Sequence, residues 1–215
     1  MRQLQIEFIE FLLSCNALKF GEFTLKSGRI SPYFFNLGVF HDGKSLAKLG
    51  EFYAETLQNS RMPCDMLFGP AYKGIPLVAA TSIMLAEKFH RNIPYCFNRK
   101  EKKSYGDGGA FVGAELKGNV VMLDDVITAG TTVKETVAML ESTPATLSGI
   151  IIAFDRQERG STGTLSAIQE AVKSYHVPVQ SIITLSDVVQ YLTPQKNQKA
   201  HLVAIENYRQ QYGIT

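Results

Sequence analysis

The chain has 215 residues, of which 45% are hydrophobic and 20% are charged. These fractions are typical of globular proteins and exclude disordered, collagen-like and coiled-coil chains, and the length favours one domain over two. Lys and Arg number 22 against 20 Asp and Glu, which leaves a net charge of only +2. Such a charge gives no general reason to expect nucleic acid or a membrane as a partner, so any anion site should be local.

The three cysteines are Cys15, Cys64 and Cys96. They lack the C-x-x-C spacing of zinc sites, and we expect partly buried free thiols. The four histidines fit no metal-ligand spacing either, so we assign none to a metal. Glu7 and Glu10 interrupt the N-terminal segment where a signal peptide needs an apolar stretch, and no apolar stretch approaches the ~20 residues that span a bilayer. We therefore expect a cytoplasmic protein.

The first sixty residues combine two helical patterns with an irregular segment. Apolar side chains recur at intervals of three and four within residues 1–15 and again within 46–57, and both patterns predict amphipathic helices. Between them, residues 18–40 contain short apolar stretches broken by glycine and proline. This segment predicts small strands and turns that form an appendage to the core.

An alternation of apolar and helical patterns predicts the core, at about residues 60–185. The apolar stretches lie at 66–68, 94–97, 120–123, 150–154 and 179–184. Helical patterns lie at 75–89, 132–141 and 164–175, and a helical tail follows at 186–212. The alternation predicts an α/β fold with a doubly wound, mainly parallel sheet flanked by helices. Residues 99–113 are first basic, then glycine-rich and not periodic, which predicts a long mobile loop that could act as a lid.

One stretch carries the chemistry of a sugar phosphate. Residues 120–123 predict a buried strand, and Asp124 and Asp125 follow at its carboxyl end, where ligands bind in open α/β sheets. Two adjacent carboxylates can accept hydrogen bonds from vicinal sugar hydroxyls and help to hold a divalent cation. The small residues from Thr128 to Thr132 let backbone N–H groups close around a phosphate at a helix start. Thr132 and Glu135 also fit a capping box, so a merely capped helix is the plainer alternative.

A second stretch competes for the phosphate. Residues 38–45 match the pattern G-x-x-x-x-G-K-[ST], and with the strand that ends in Asp they would make a nucleotide hydrolase. We reject this hypothesis because Phe40 and His41 are bulky where backbone must wrap a phosphate, and Asp42 would repel it. Asp42 and Ser45 fit better as caps of the following helix.

Residues 120–132 resemble the diphosphosugar-binding signature of the type I phosphoribosyltransferase family. Residues 20–36 resemble the hood of its orotate-specific branch, and 68–76, 98–113 and 155–160 match that branch too, so the resemblance covers essentially the whole chain. It implies transfer of a 5-phosphoribosyl group from 5-phosphoribosyl 1-diphosphate to N1 of orotate, which gives orotidine 5-phosphate and diphosphate in pyrimidine nucleotide synthesis. It also implies Mg²⁺ as cofactor, bound mainly through the substrate, and a homodimer with shared active sites, without nucleic-acid or membrane partners.

The resemblance assigns roles position by position. The residues that would bind the diphosphosugar are Lys26, Tyr72, Lys73, Arg99, Lys100, Lys103, Tyr105, Asp124, Asp125, Val126, Ile127, Thr128, Ala129, Gly130, Thr131 and Thr132. Those that would hold orotate are Lys26, Phe34, Phe35, Thr128 and Arg156. The guanidinium of Arg156 suits a carboxylate because its fork of donors matches two oxygens. Catalytic roles fall to Lys73, Lys103 and Asp125, with the loop cations supplied by the neighbouring subunit.

The structural alternatives are that Phe34 and Phe35 fill the core and that Arg156 forms a surface pair with Asp155 or Glu158. Two other functions also stay open. One is a non-catalytic regulator that senses the diphosphosugar and binds nucleic acid, and the other is a purine phosphoribosyltransferase, which shares the cradle but should lack this hood.

The chain departs from the family pattern at two loop positions. Tyr105 stands where the family commonly has His, and a phenol with a pKa of ~10 is a poor proton shuttle near neutrality. Asp107 stands in place of the more usual Glu, which shortens the reach of the carboxylate. A catalytic role carried over to position 105 is therefore in question.

Overall fold

The computed structural model describes residues 1–25, 28–103, 109–128, 130–160 and 163–214, without the side chains of 102 and 103. The helices are α1 Gln3–Ser14, α2 Gly43–Ser60, α3 Gly74–Phe89, α4 Thr131–Leu140, α5 Ala167–Tyr175, α6 Leu185–Leu192 and α7 Lys199–Tyr212. The strands are β1 Leu18–Thr24, β2 Ile30–Phe35, β3 Met66–Gly69, β4 Tyr95–Lys103, β5 Gly109–Gly113, β6 Gly118–Asp124, β7 Ala145–Asp155 and β8 Val179–Thr184. Within these ranges, no helix is both long and apolar enough to cross a lipid bilayer.

Six strands form the central sheet in the order β5-β4-β3-β6-β7-β8. The β4 and β5 strands are antiparallel, and the other neighbours are parallel. Alternate residues of β6 pack on opposite faces: Val121 and Leu123 join the core cluster of α1, α2 and α3, whereas Val120 and Met122 join that of α4 and α5. Helices therefore cover both faces, and the predicted doubly wound, mainly parallel α/β fold is confirmed.

The β1 and β2 strands pair antiparallel in a separate sheet, and we call residues 18–40 the hood. A short 3-10 helix, Leu37–Val39, links the hood to α2. The predicted cap is confirmed, because the carboxylate of Asp42 accepts a hydrogen bond from the backbone N–H of Ser45 at 3.0 Å. The β2 strand lies outside the central sheet, so residues 38–45 do not follow one of its strands as a nucleotide-binding loop would.

Two local predictions are corrected. The irregular loop predicted for residues 99–113 is regular over much of its length, since β4 runs to Lys103 and pairs with β5, with Phe97 opposite Val112. Phe111 and Val112 are partly buried, which favours strand pairing despite the surrounding glycines. Residues 104–108, with Tyr105 and Asp107, lie outside the described residues.

The capping box predicted for Thr132 and Glu135 was wrong. The α4 helix begins at Thr131, and Gly130, at φ +69°, takes the N-cap position without a described side-chain cap. Thr132 is therefore already inside the helix. A left-handed Gly before the helix turns the chain two residues earlier than the box requires.

Candidate active site

Two buried carboxylates lie where β6 ends. Asp124 and Asp125 are 7% and 8% exposed. The backbone N–H of Asp125 donates to Oδ1 of Asp124 at 2.8 Å, and that of Val126 donates to Oδ1 of Asp125 at 2.9 Å. The hydroxyl of Tyr53, on α2, donates to the backbone carbonyl of Asp124 at 2.7 Å. These bonds fix the turn by which the chain leaves the strand.

Burial, together with the charge of Asp125, raises the pKa of Asp124 to about 7. Nζ of Lys73 lies 2.5 Å from Oδ2 of Asp125 and offsets part of the negative charge. Above the pKa of Asp124, two carboxylates face one ammonium group, so the site favours hydroxyl donors or a further cation.

The turn between β3 and α3 carries Lys73 to this position. An added Cβ at Gly69 would lie 2.2 Å from the backbone oxygen of Gly74, so the two segments approach closely enough to require glycine. The backbone N–H of Ala71 donates to Oδ1 of Asn98 at 2.7 Å and ties the turn to β4. Tyr72 is 71% exposed, and the turn thus presents a phenol and an ammonium group at the edge of the sheet.

Residues 126–133 surround a small cavity of about 60 Å³ at the start of α4, and we call them the phosphate cradle. Ala129 lies outside the described residues. The first backbone N–H groups of a helix lack intrahelical partners and carry the positive end of the helix dipole. With no side-chain cap described for α4, these donors suit an anion such as phosphate.

A larger cavity of about 580 Å³ lies between the hood and the loop after β7. Its walls include Thr24, Arg29, Phe34, Ile127, Thr128, Arg156, Glu158 and Ser166. Ile127 and Thr128 line both cavities, so a ligand in the cradle lies next to a ligand in the larger cavity.

The predicted base-binding residues separate into two groups. Phe34 is 39% exposed, stacks on Phe23 and lines the larger cavity. Phe35 instead packs on Phe154, with ring centroids 5.2 Å apart, and does not line the described wall. Arg156 lines the cavity and also forms the ion pair with Glu158 that the structural alternative expected, although not at the surface. Because their side chains are only 19% and 15% exposed, this is a largely buried pair.

The remaining predicted site residues are distributed as follows. Arg99 and Lys100 lie on β4, two strands from β6. Lys103 ends β4, but its side chain lies outside the described residues, as do Lys26 and Tyr105.

Sequence reasoning missed the roles of Arg29 and Tyr53. Arg29 lines the larger cavity and lies within the hood stretch, three residues after Lys26, so its position in the motif could have marked it. In the sequence Tyr53 is one of several apolar residues at helical spacing. Nothing in that pattern indicates that its hydroxyl donates to the backbone carbonyl of Asp124.

The geometry agrees with the comparisons with known proteins. The family model described as phosphoribosyl transferase domain matches residues 39–180. The chain is 55% identical to orotate phosphoribosyltransferases of Proteus mirabilis and Yersinia pestis, over 100% of each chain. The crystal structure of orotate phosphoribosyltransferase from Francisella tularensis superposes with a TM-score of 0.88 at 43% identity, and the match covers 96% of this chain and 99% of that one. The chain belongs to the phosphoribosyltransferase family and, within it, to the orotate phosphoribosyltransferases.

Proposed function

We propose that this protein transfers the 5-phosphoribosyl group of 5-phosphoribosyl 1-diphosphate to N1 of orotate, which releases diphosphate and yields orotidine 5-phosphate for pyrimidine nucleotide synthesis. The single observation that carries the proposal is the wall shared by the two cavities at Ile127 and Thr128. A phosphate in the cradle and a planar acid beside Arg156 would lie on either side of a ribose, as a phosphoribosyl transfer requires.

The diphosphosugar would bind along the carboxyl edge of the sheet. In this proposal the cradle holds the 5-phosphate, Asp124 and Asp125 accept hydrogen bonds from the ribose hydroxyls, and Tyr72 and Lys73 contact the diphosphate. Lys26, Arg99, Lys100, Lys103 and Tyr105 complete the set on the basis of their positions in the family motifs. Orotate would lie against Phe34 and Thr128, with Lys26 nearby and its carboxylate on Arg156. Phe35 supports this surface from the core side.

Mg²⁺ is the cofactor we propose, since the donors at the end of β6 fit it. Carboxylate oxygens are ligands that Mg²⁺ prefers, and it often binds through one or two carboxylates together with substrate phosphates. A cation carried by the substrate would also relieve the repulsion that raises the pKa of Asp124. When bound, the ion would neutralise negative charge on the diphosphate.

No protein nucleophile is needed for this reaction. As the bond from C1 to the diphosphate lengthens, positive charge develops on the ribose and negative charge on the leaving group. In this proposal Asp124 and Asp125 stabilise the positive charge on the ribose, and Lys73 stabilises the negative charge on the diphosphate. Lys103, at the end of β4, would add a second cation when the hairpin of β4 and β5 closes over the site and excludes water.

We propose a homodimer in which each subunit supplies its loop cations to the neighbouring site. Ile83, on α3, is 58% exposed, which suits a surface covered by a partner. The cytoplasm is the compartment we propose, because multiply charged sugar phosphates do not cross membranes unaided.

The test is a spectrophotometric assay of orotate consumption with 5-phosphoribosyl 1-diphosphate and magnesium, run beside adenine, hypoxanthine and uracil. Orotate should be consumed and the other bases should react at least ~100-fold more slowly, since none of them carries a carboxylate for Arg156. Faster turnover of a purine would overturn the proposal in favour of a purine phosphoribosyltransferase. No turnover of any base would favour a regulator that only binds the diphosphosugar.

Lys103→Ala tests the proposed lid. The substitution should lower kcat by ~100-fold or more while the Kd of the diphosphosugar changes by less than about threefold, because the cation acts at charge separation. Lys44→Ala is the matched control: it removes an exposed lysine of the rejected nucleotide-binding motif and should change neither quantity. Equal losses in turnover and binding for Lys103→Ala would contradict a lid role.

A further inference from the structure

Glu158 is the centre of a charged cluster in the wall of the larger cavity. Its Oε1 accepts hydrogen bonds from Nε of Arg156 at 2.8 Å and from the Tyr33 hydroxyl at 2.7 Å. Its Oε2 lies 3.7 Å from Nη1 of Arg29. One carboxylate from the loop after β7 therefore joins that loop to two residues of the hood.

The backbone around Glu158 is fixed from the opposite side. Ile214 N–H donates to the carbonyl of Gln157 at 2.9 Å, and Arg159 N–H donates to the carbonyl of Tyr212 at 2.8 Å. The side chain of Gln157 accepts a hydrogen bond from the backbone N–H of Ser186 at 2.9 Å. Arg156, Gln157 and Glu158 all line the cavity, and the side chain of Gln157 is also tied to α6. The carboxylate is held by the fold and can in turn hold a neighbour.

This arrangement fixes the Arg156 guanidinium at one edge. Nη2 lies 2.7 Å from Oε1 of Glu158, but it has no hydrogen-bond partner of acceptable angle among the described residues, although it is buried. The planar guanidinium also lies over the ring of Tyr33, with its carbon 5.0 Å from the ring centroid. Rotation of the guanidinium is therefore restricted on one edge and one face, while Arg156 still lines the cavity.

The charges in the cluster favour an anionic ligand. Arg29 and Arg156 contribute two positive charges and Glu158 one negative charge, so the cluster has one excess positive charge, whereas Arg159, Asp155 and Glu170 bring the formal total of the whole wall to zero. Arg29 is itself held by the ring of Tyr212, 4.7 Å from its guanidinium carbon. A carboxylate would pair with the excess positive charge of this cluster, whereas a neutral base would leave that charge unpaired.

We infer that Glu158 is a positioning residue for base selection: it aligns Arg156 in the cavity wall so that the guanidinium meets the carboxylate of the base. This inference rests on the proposed function. It gives the two residues of the ion pair different roles. Arg156 contacts the substrate, and Glu158 acts only through Arg156 and the hood.

Two conservative substitutions distinguish position from charge. Glu158→Gln keeps the length of the side chain and an acceptor oxygen, so the KM for orotate should rise by no more than about threefold. Glu158→Asp keeps the charge but withdraws the carboxylate by one methylene, so the KM for orotate should rise about tenfold. For both, the KM for 5-phosphoribosyl 1-diphosphate should stay within about twofold of the wild type.

A third variant guards against loss of folding. Tyr33→Phe removes only the hydroxyl that donates to Glu158 and should raise the KM for orotate in the same selective way, by about threefold. Glu51→Asp is the matched control, because Glu51 also pairs with two cations, Lys48 and Lys88, but on α2 and α3. It should leave both KM values unchanged even if the melting temperature falls.

The outcomes separate the inference from the function on which it rests. If the wild type consumes orotate but Glu158→Gln is impaired as much as Glu158→Asp, the length of the side chain is not what aligns Arg156, and the inference fails. It fails as well if the KM values of both substrates rise together or if neither changes. If the wild type does not consume orotate at all, the proposed function fails first.

Discussion

The buried carboxylate of Asp124 should make the free energy of unfolding depend on pH. Its pKa rises from the ordinary 3.8 to about 7 in the folded chain, so the native state holds a proton between these values that the unfolded state has lost. Stability therefore falls as pH rises through this window and levels off above it. Asp124→Asn removes the effect. We expect the variant to melt several degrees above the wild type at about pH 8, and the gap to shrink toward pH 4.

Thermal unfolding of both proteins without ligands at several pH values measures this gap, and a gap that does not vary with pH would contradict it. Asp65→Asn is a control of opposite sign. The backbone N–H and side chain of Asn119 lower the pKa of Asp65, so that carboxylate stabilises the fold above its ordinary pKa and the stabilisation is lost as pH falls. Asp65→Asn should therefore be less stable than the wild type near neutrality.

The hydroxyl of Tyr53 supports Asp124 without reaching any ligand. Tyr53→Phe removes the bond to the Asp124 carbonyl and preserves the ring in the core. We expect a loss of about 1 kcal/mol of unfolding free energy and a rise of about threefold in the KM for the diphosphosugar. The KM for orotate should not change, because we propose that Asp124 binds the sugar and not the base. Chemical denaturation and steady-state kinetics on the same preparations would test both, and a larger effect on orotate would contradict this division.

At the scale of elements, the crossing of β3 and α3 depends on two glycines. Gly69→Ala would place a methyl group against the backbone of Gly74 and should destabilise the protein by about 3 kcal/mol or prevent folding. Gly43→Ala, at the start of α2 with open space around it, should change stability by less than about 0.5 kcal/mol. Denaturation midpoints of the pair give the comparison. Equal stability of the two variants would show that the turn yields easily.

Elements with a clear period were predictable from the sequence, and those decided by pairing were not. The strands β3, β6, β7 and β8 follow continuous apolar stretches because helices bury both of their faces. The extension of β4 and the presence of β5 depend on the pairing of these two strands with each other. A local sequence pattern does not indicate such pairing. The N-cap of α4 is Gly130, whose left-handed backbone cannot be read from the sequence. Thr132 and Glu135 fit the capping-box pattern better, and the predicted helix start was therefore two residues too late.

At the scale of the whole molecule, the proposed homodimer makes a prediction about mixed subunits. In this proposal each active site combines Arg156 of one subunit with Lys103 of the other. A hybrid dimer of one Lys103→Ala subunit and one Arg156→Ala subunit therefore has one intact site and one site that lacks both residues. Random pairing should then restore about one quarter of wild-type activity, because half of the dimers are hybrids with one intact site each. Turnover at low orotate in co-expressed and in separately purified proteins measures this. Activity no greater than the sum of the two variants would contradict shared sites.

The site was predictable where short motifs carry it and not where distant residues meet. Residues 124–132 and Arg156 lie in contiguous patterns. The contacts from Tyr33 to Glu158 and from Tyr53 to Asp124 span 125 and 71 residues, and they depend on how the hood and α2 pack on the sheet. Such contacts leave no periodicity in one sequence. Reading them requires the fold.

The wall common to both cavities, at Ile127 and Thr128, has a consequence for inhibitor chemistry. A single compound with an anionic head for the cradle and a flat carboxylated ring for the larger cavity could occupy both at once over a short linker. Once one end is bound, the other meets its cavity at a millimolar effective concentration, so two weak fragments can combine into one tight ligand. The linker would take the place of the ribose.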